Sequence, residues 1–166
     1  MIRAIEALRK RDYRITLALV GGGNGRAKRL LNEQLSVSDP HRTFVQQMEF
    51  VPQRDLPGHL ANADIFIFAS SCENMPNTLV EAMAVGLPIA CSNRGPMPEV
   101  LADGGTYFDP EDAESIAEAI EQIIKDPVLR VRIAQRAKIL SEQYSWLRCS
   151  DETWAFIENT YNSIKK

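Results

Sequence analysis

Three observations predict an α/β fold, a Rossmann-like, doubly wound parallel sheet flanked by helices. Short apolar runs alternate with amphipathic stretches from one end of the 166-residue chain to the other. Ile65-Phe66-Ile67-Phe68-Ala69 is apolar at every position, as in a parallel strand covered on both faces. The runs end in glycines or polar loops, and helical patterns follow.

Met1 to Leu8 reads as an amphipathic helix. Ile15 to Val20 is a short apolar run ending in glycines, a buried strand. Arg26 to Leu35 is helical in pattern, and Val45 to Val51 is a second strand, stopped by Pro52. Asp55 to Ala63 is a short helix with Leu56, Leu60 and Ala63 on one face. After the strand at Ile65 to Ala69 come a polar loop, Ser70 to Asn77, and a helix, Thr78 to Val85. Gly86 suits the position just past that helix, and Pro88 prevents its continuation. Leu87 to Cys91 is another strand, Pro98 to Leu101 a helical turn, and Thr106 to Phe108 a last short strand. Ala113 to Lys125 places Ile116, Ala119, Ile120, Ile123 and Ile124 at helical spacing. Asp126-Pro127 opens a further helix with proline at its first position. Trp146 leads into a final helix with Trp154, Ile157, Tyr161 and Ile164 on one face.

Composition narrows the functional classes. Hydrophobic residues make up 45% and charged residues 25% of the chain, the mix of a globular protein. Its length favours one domain, 1–166. No apolar run reaches the roughly 18 residues of a membrane span, and the first helix lacks the h-region of a signal peptide, so a cytoplasmic setting is expected. Net charge is −3 with scattered basic residues, which argues against a nucleic-acid partner. Cys72, Cys91 and Cys149 are too far apart for a disulfide framework or a C-x-x-C zinc site.

In a doubly wound sheet, ligands bind beyond the carboxyl ends of the strands. The loops to inspect follow Val20, Val51, Ala69 and Cys91. The first is Gly21-Gly22-Gly23-Asn24-Gly25, where the backbone can approach a ligand closely. It fails the G-x-G-x-x-G/A dinucleotide fingerprint and has no Gly-Lys-Ser/Thr, so a tight turn explains it equally well. The loop after Ala69 reads Ser70-Ser71-Cys72-Glu73-Asn74-Met75-Pro76-Asn77, followed by Thr78-Leu79-Val80-Glu81. Asn77 as N-cap would leave the N–H groups of Thr78 and Leu79 free at a helix start, where a phosphate fits. Glu81, one turn in, would accept hydrogen bonds from ribose hydroxyls, and Glu73 would meet a sugar beyond the phosphate. Two carboxylates around an anion site suit a nucleotide sugar. The plainer account makes Glu73 a solvated carboxylate and Glu81 a helix-dipole partner.

Glu73, seven intervening residues, Glu81 and then Ala82-Met83-Ala84-Val85-Gly86-Leu87-Pro88-Ile89 resemble the signature of family 4 retaining glycosyltransferases, enzymes of the GT-B fold. Leu17-Ala18-Leu19-Val20-Gly21-Gly22-Gly23, Glu49-Phe50-Val51-Pro52, Ala63-Asp64-Ile65-Phe66-Ile67, Gly95-Pro96-Met97-Pro98-Glu99-Val100-Leu101, Tyr107-Phe108-Asp109-Pro110 and Ser145-Trp146 resemble further segments of the same family. The likeness covers essentially the whole chain. It implies a donor site in which Glu73 contacts the sugar, Asn74 and Met75 offer backbone groups, and Thr78 and Leu79 hold the diphosphate. Glu81 would hold the ribose, and the backbone at Val51 and Pro52 would face the base. The donor would be a UDP- or GDP-sugar, with no cofactor or metal. Pro96 stands where the family commonly has a second glycine, and Asn74-Met75 where it has Gly-Phe.

The resemblance also implies features that precede this sequence in the family: a central strand ending in Gly-Arg, a Lys-Gly loop, and an acceptor-binding domain. The chain is therefore expected to be the donor-binding half, N-terminally truncated, with a sheet that lacks its middle strand. The flanking strands would then pair directly, or a partner chain would fill the gap. The final helix, normally packed on the acceptor domain, would expose its apolar stripe and favour self-association. The family's habits point to polysaccharide or glycolipid synthesis and admit a peripheral place at the inner membrane surface. A non-catalytic nucleotide-sugar-binding or scaffold module is the main alternative. A UDP-sugar epimerase and a nicotinamide-dependent oxidoreductase fit the motifs less well.

Overall fold

The structure, a computed structural model, describes residues 1–164. Its elements in chain order are α1 (Ile2–Lys10), β1 (Leu17–Val20), α2 (Gly25–Ser38), β2 (Val45–Met48), α3 (Leu56–Ala61), β3 (Phe66–Phe68), α4 (Asn77–Val85), β4 (Ile89–Ser92), α5 (Met97–Leu101), β5 (Thr106–Phe108), α6 (Ala113–Lys125), α7 (Pro127–Ser141) and α8 (Trp146–Ile164). All strand pairs are parallel. Leu17 to Val20 lie opposite Val45 to Met48, Phe66 to Phe68 opposite Ile89 to Cys91, and Ala90 to Ser92 opposite Thr106 to Phe108.

The α/β class and the parallel pairing follow the sequence reading, and the sheet divides where a central strand was expected to be missing. There are two sheets, β1–β2 and β3–β4–β5. The strands on either side of the expected gap, β1 and β3, do not pair with each other. Their side chains register this: Val20 is 47% exposed and Phe66, Ile67 and Phe68 are only half-buried, whereas all four residues of β4 are buried.

Alternation along β4 shows how both faces are covered. Ala90 points into a core built from Ile2, Ala4, Ile5 and Leu8 of α1, Leu35 of α2, and Ile116, Ile120 and Ile123 of α6. Ile89 and Cys91 point into a second core with Leu79, Ala82 and Met83 of α4, Met97 and Leu101 of α5, and Ala137 of α7. Each fully buried aliphatic side chain stabilises the fold by about 1.5–3 kcal/mol of transfer free energy, so these two layers carry the stability.

Polar groups fix the joints. Asp39, 2% exposed, accepts hydrogen bonds from the backbone N–H groups of Thr43, Phe44 and Val45 and from the Thr43 hydroxyl, holding the entry to β2. Asn24 caps α2 through Ala27 N–H, Asp112 caps α6 through Glu114 N–H, and Asp126 caps α7 through Leu129 N–H, as the Asp-Pro signal predicts. Gly86 closes α4 with φ of 82°, a conformation that favours glycine. The helix α8 stands apart: none of its residues is buried.

Candidate functional site

The turn between β3 and α4 is built differently from the expectation in one respect. Asn77 lies inside the first helical turn, and the capping position falls to Pro76, which makes no side-chain cap. The Pro76 carbonyl accepts the N–H groups of Leu79 at 2.9 Å and Val80 at 3.2 Å. Proline fixes its own φ near the helical value, so the helix starts as soon as that carbonyl is available. Two expectations are thereby corrected. Asn77 does not cap with its side chain, its own N–H bonding to Met75 O at 2.9 Å, and the Leu79 N–H is not free. Leu79 is fully buried and anchors α4 in the core. The Thr78 N–H has no hydrogen-bond partner among the described residues, and Thr78 is exposed, with the positive end of the α4 dipole behind it.

Glu81 is half-buried and lines a groove of about 380 Å³ between α3 and α4, together with Gln53, Leu56, Pro57, Leu60, Ala84 and Val85. The loop after β2 is shaped to form its far wall. Pro52 O accepts Asp55 N–H at 2.9 Å and Leu56 N–H at 3.2 Å, which turns the chain into α3 directly after Val51 and Pro52. Gln53 and Leu56 share this lining with Glu81, whereas Val51 and Pro52, just before them in the chain, do not. The groove thus combines a single carboxylate with a mostly apolar lining that includes Leu56 and Val85.

Glu73 lies on the loop before α4, half-buried, and is not part of that groove's lining. Its backbone carbonyl sits beside Gly95, where an added Cβ would lie 3.9 Å away. Gly95 has φ of 52°, and Met97, two residues on, is fully buried. The loop after β4 therefore runs close to the Glu73 backbone. Arg94 in that loop does not stand free as a cation: its Nη2 lies 3.2 and 3.1 Å from the two Asp109 carboxylate oxygens.

The remaining candidates follow the carboxyl ends of their strands. Gly21 and Gly22 are exposed after β1. Gly21 has φ of 129° and its N–H still bonds to Met48 O at 2.9 Å, while a Cβ on Gly22 would press on Glu49 O at 3.3 Å. Asn74 and Met75 are exposed ahead of Pro76, and Cys72 is exposed beside Glu73. His41 and His59 are exposed, and neither lines the Glu81 groove. Gln53, Leu56 and Gly95 were not assigned to the site from the sequence, Leu56 being read only as a helix-face residue and Gly95 only as part of a family-like segment. The Pro52 turn would have pointed to the first two, and the Arg94-Gly95-Pro96 sequence to the third.

Among the described residues, no group of three or more His, Cys, Asp or Glu could hold a metal ion, and no helix is long and apolar enough to cross a membrane.

With this geometry in place, comparison with known proteins adds the following. Residues 1–139 match the family described as glycosyl transferases group 1. O-antigen chain mannosyltransferase B of Escherichia coli is 34% identical over 110 residues, covering 66% of this chain and 29% of that protein. The GDP-mannose-dependent alpha-(1-6)-phosphatidylinositol monomannoside mannosyltransferase of Mycolicibacterium smegmatis is 32% identical over 139 residues, covering 76% of this chain and 35% of that protein. The chain thus spans about a third of the length of these relatives. Among solved structures, Anabaena HepE in complex with UDP and glucose superposes with a TM-score of 0.80 at 23% identity, over 95% of this chain and 44% of that one.

Proposed function

This chain belongs to the glycosyl transferases group 1 family, and on that premise we propose that it is a donor-binding domain of the family 4 type. It serves retaining transfer of a hexose from a nucleoside-diphosphate sugar to a sugar or lipid-linked acceptor. The observation that carries the reading is Glu81, set in the α3–α4 groove one turn below the unpartnered Thr78 N–H. A ligand with its diphosphate at Thr78 has its ribose within the first turn of α4, where Glu81 accepts hydrogen bonds from its hydroxyls. The base extends toward Gln53 and the backbone of Val51 and Pro52. The hexose extends the other way, along Asn74 and Met75 to Glu73. Gly21 and Gly22 leave the backbone after β1 open to the same ligand.

Transfer breaks the bond between the anomeric carbon and the diphosphate and forms one to the acceptor oxygen on the same face. The acceptor proton passes to the departing phosphate. This domain contributes positioning and electrostatic stabilisation: the α4 dipole and Thr78 N–H meet the charge that grows on the diphosphate. The two mannosyltransferase relatives support GDP-mannose as the first donor to test.

Calorimetric titration with GDP and with UDP tests the reading. We expect saturable binding of GDP, weakened at least tenfold by Glu81→Ala, since a hydrogen bond to a charged group contributes about 1.5–3 kcal/mol. A folded chain that binds neither nucleotide, or whose affinity Glu81→Ala leaves unchanged, overturns this placement of the donor.

A further inference from the structure

We propose that Asn24 is a site of spontaneous covalent modification, converted through a cyclic imide with the Gly25 nitrogen into aspartate and isoaspartate. Asparagine is a labile residue, and a following glycine opens it to attack because no Cβ crowds the attacking nitrogen. Asn24-Gly25 is the one Asn-Gly pair in the sequence. It lies in the loop after β1, in a stretch exposed from Gly21 to Leu30, and a Cβ added to Gly25 would meet nothing within 4 Å. The Gly25 N–H heads α2 and donates to no acceptor among the described residues, so the nucleophile is not tied up. The positive end of the α2 dipole favours loss of its proton.

Two bonds hold the pair in place. Asn24 Oδ1 accepts the Ala27 N–H at 3.0 Å, and Asn24 O accepts the Lys28 N–H at 2.9 Å. Ring closure turns ψ of Asn24 away from 170° and releases both. Only this first turn has to open. Leu35, the one buried residue of α2, lies well beyond it, so the opening breaks no core contact.

The Gly25 nitrogen then attacks Asn24 Cγ. The new N–Cγ bond forms, the Cγ–Nδ2 bond breaks, and ammonia leaves with the proton taken from Gly25. Water opens the five-membered imide at either carbonyl. Addition at Cγ returns the original backbone with an aspartate at 24. Addition at the main-chain carbonyl gives isoaspartate, which routes the backbone through Cβ and Cγ and removes the side-chain cap of α2. The net change is one water consumed and one ammonia released, with no change of oxidation state.

The one Asp-Gly pair, Asp103-Gly104, shows the same chemistry blocked. The Gly104 N–H is bound to Leu101 O at 2.8 Å, and an added Cβ would lie 2.9 Å from that oxygen and 3.0 Å from Ala137 Cα. Arg136 Nε lies 2.6 Å from the Asp103 carboxylate and holds it ionised, a poor target for a nucleophile.

Peptide mapping of the full chain, aged at mildly alkaline pH and body temperature in heavy-oxygen water, tests the proposal. Mass spectrometry reads the oxygen gained, and chromatography against synthetic standards separates aspartate from isoaspartate. Both products are expected at position 24, at a rate within about tenfold of a free peptide spanning 21–29, an opening free energy of at most about 1.4 kcal/mol. Gly25→Ala slows the conversion at least about tenfold, its Cβ crowding the nitrogen, while the far-UV circular dichroism stays that of the parent. The aged chain melts at a lower temperature as its isoaspartate fraction rises, whereas Asn24→Asp, which keeps a capping carboxylate, melts as the parent does. An Asn24 that trails the peptide by more than about tenfold, or that gives aspartate without isoaspartate, overturns the proposal. Conversion at Asp103 as fast as at Asn24, or a rate that Gly25→Ala leaves unchanged, overturns it as well.

Discussion

Arg94 grips Asp109 through one guanidinium nitrogen placed 3.2 and 3.1 Å from the two carboxylate oxygens, and so ties the loop after β4 to the loop after β5. Asp109 also accepts the Glu111 N–H at 3.0 Å. That bond first, and Arg94 second, hold its carboxyl below the usual carboxylate range. Gly95, next in the chain, backs the Glu73 carbonyl. Arg94→Ala is expected to change stability by less than about 1 kcal/mol, because a half-exposed ion pair is worth little. Its effect falls on the Glu73 loop: affinity for the nucleotide sugar drops two- to fivefold, or about 0.5–1 kcal/mol. A thermal melt and a calorimetric titration of one sample separate the two effects.

Glu73 and Glu81 are expected to fail in different ways. Glu81→Ala weakens free nucleotide and nucleotide sugar alike. Glu73→Gln leaves free nucleotide affinity within about twofold and weakens the nucleotide sugar about tenfold, the value of one hydrogen bond to a charged group. Parallel titrations with GDP and GDP-mannose check this. Equal losses for both ligands in both variants would remove the division of labour.

Asp39 gives the chain an acid-sensitive joint. Burial pushes its carboxyl upward, but the N–H groups of Phe44, Thr43 and Val45 and the Thr43 hydroxyl outweigh burial and bring it down to about 2. A carboxyl depressed from 3.8 contributes stability at any pH above that value and loses it as pH falls from 3.8 toward 2. Denaturant unfolding followed across this window should show a steep loss in the parent chain. In Asp39→Asn the same window is flatter and the neutral-pH plateau lower. A variant that matches the parent curve would show that Asp39 does not control this joint.

Two positions in the turn before β5 respond in opposite directions. A Cβ on Gly105 would lie 2.6 Å from Leu101 Cδ2 and 2.7 Å from Ile89 O, so Gly105→Ala is expected to cost about 1–3 kcal/mol. Ala102 sits at φ 46°, ψ −120°, strained for any residue with a side chain, and is held there by the Tyr107 hydroxyl, which donates to its carbonyl at 2.6 Å. Ala102→Gly relieves about 1 kcal/mol of that strain and raises the melting temperature by several degrees. Calorimetric melts of both variants test the pair.

Sequence patterns carried the fold where they were strongest, as in the apolar runs around β1, β3 and β4 and the single apolar face of α6: Ala113 to Lys125 and Thr106 to Phe108 have the bounds expected. Pro76 was misjudged because side-chain preference favours asparagine as a cap, while the proline's carbonyl geometry decided the helix start. The split between β1 and β3 was anticipated only as a missing strand. Pairing is settled by which backbone edges meet, and side-chain patterns do not encode that. Gln53 entered the groove through a turn at Pro52, a backbone event with no motif of its own. Asp39 reads as an ordinary loop acid until the folded chain brings three N–H groups around it.

The division into two sheets gives the molecule an uneven clock of opening. Among the described residues, β4 alone has a hydrogen-bonded strand on each side; β1, β2, β3 and β5 each have one. Deuterium should therefore enter the amides of β1 and β3 early, through brief local separations. It should enter those between Ile89 and Ser92 last, in events that unfold the whole chain.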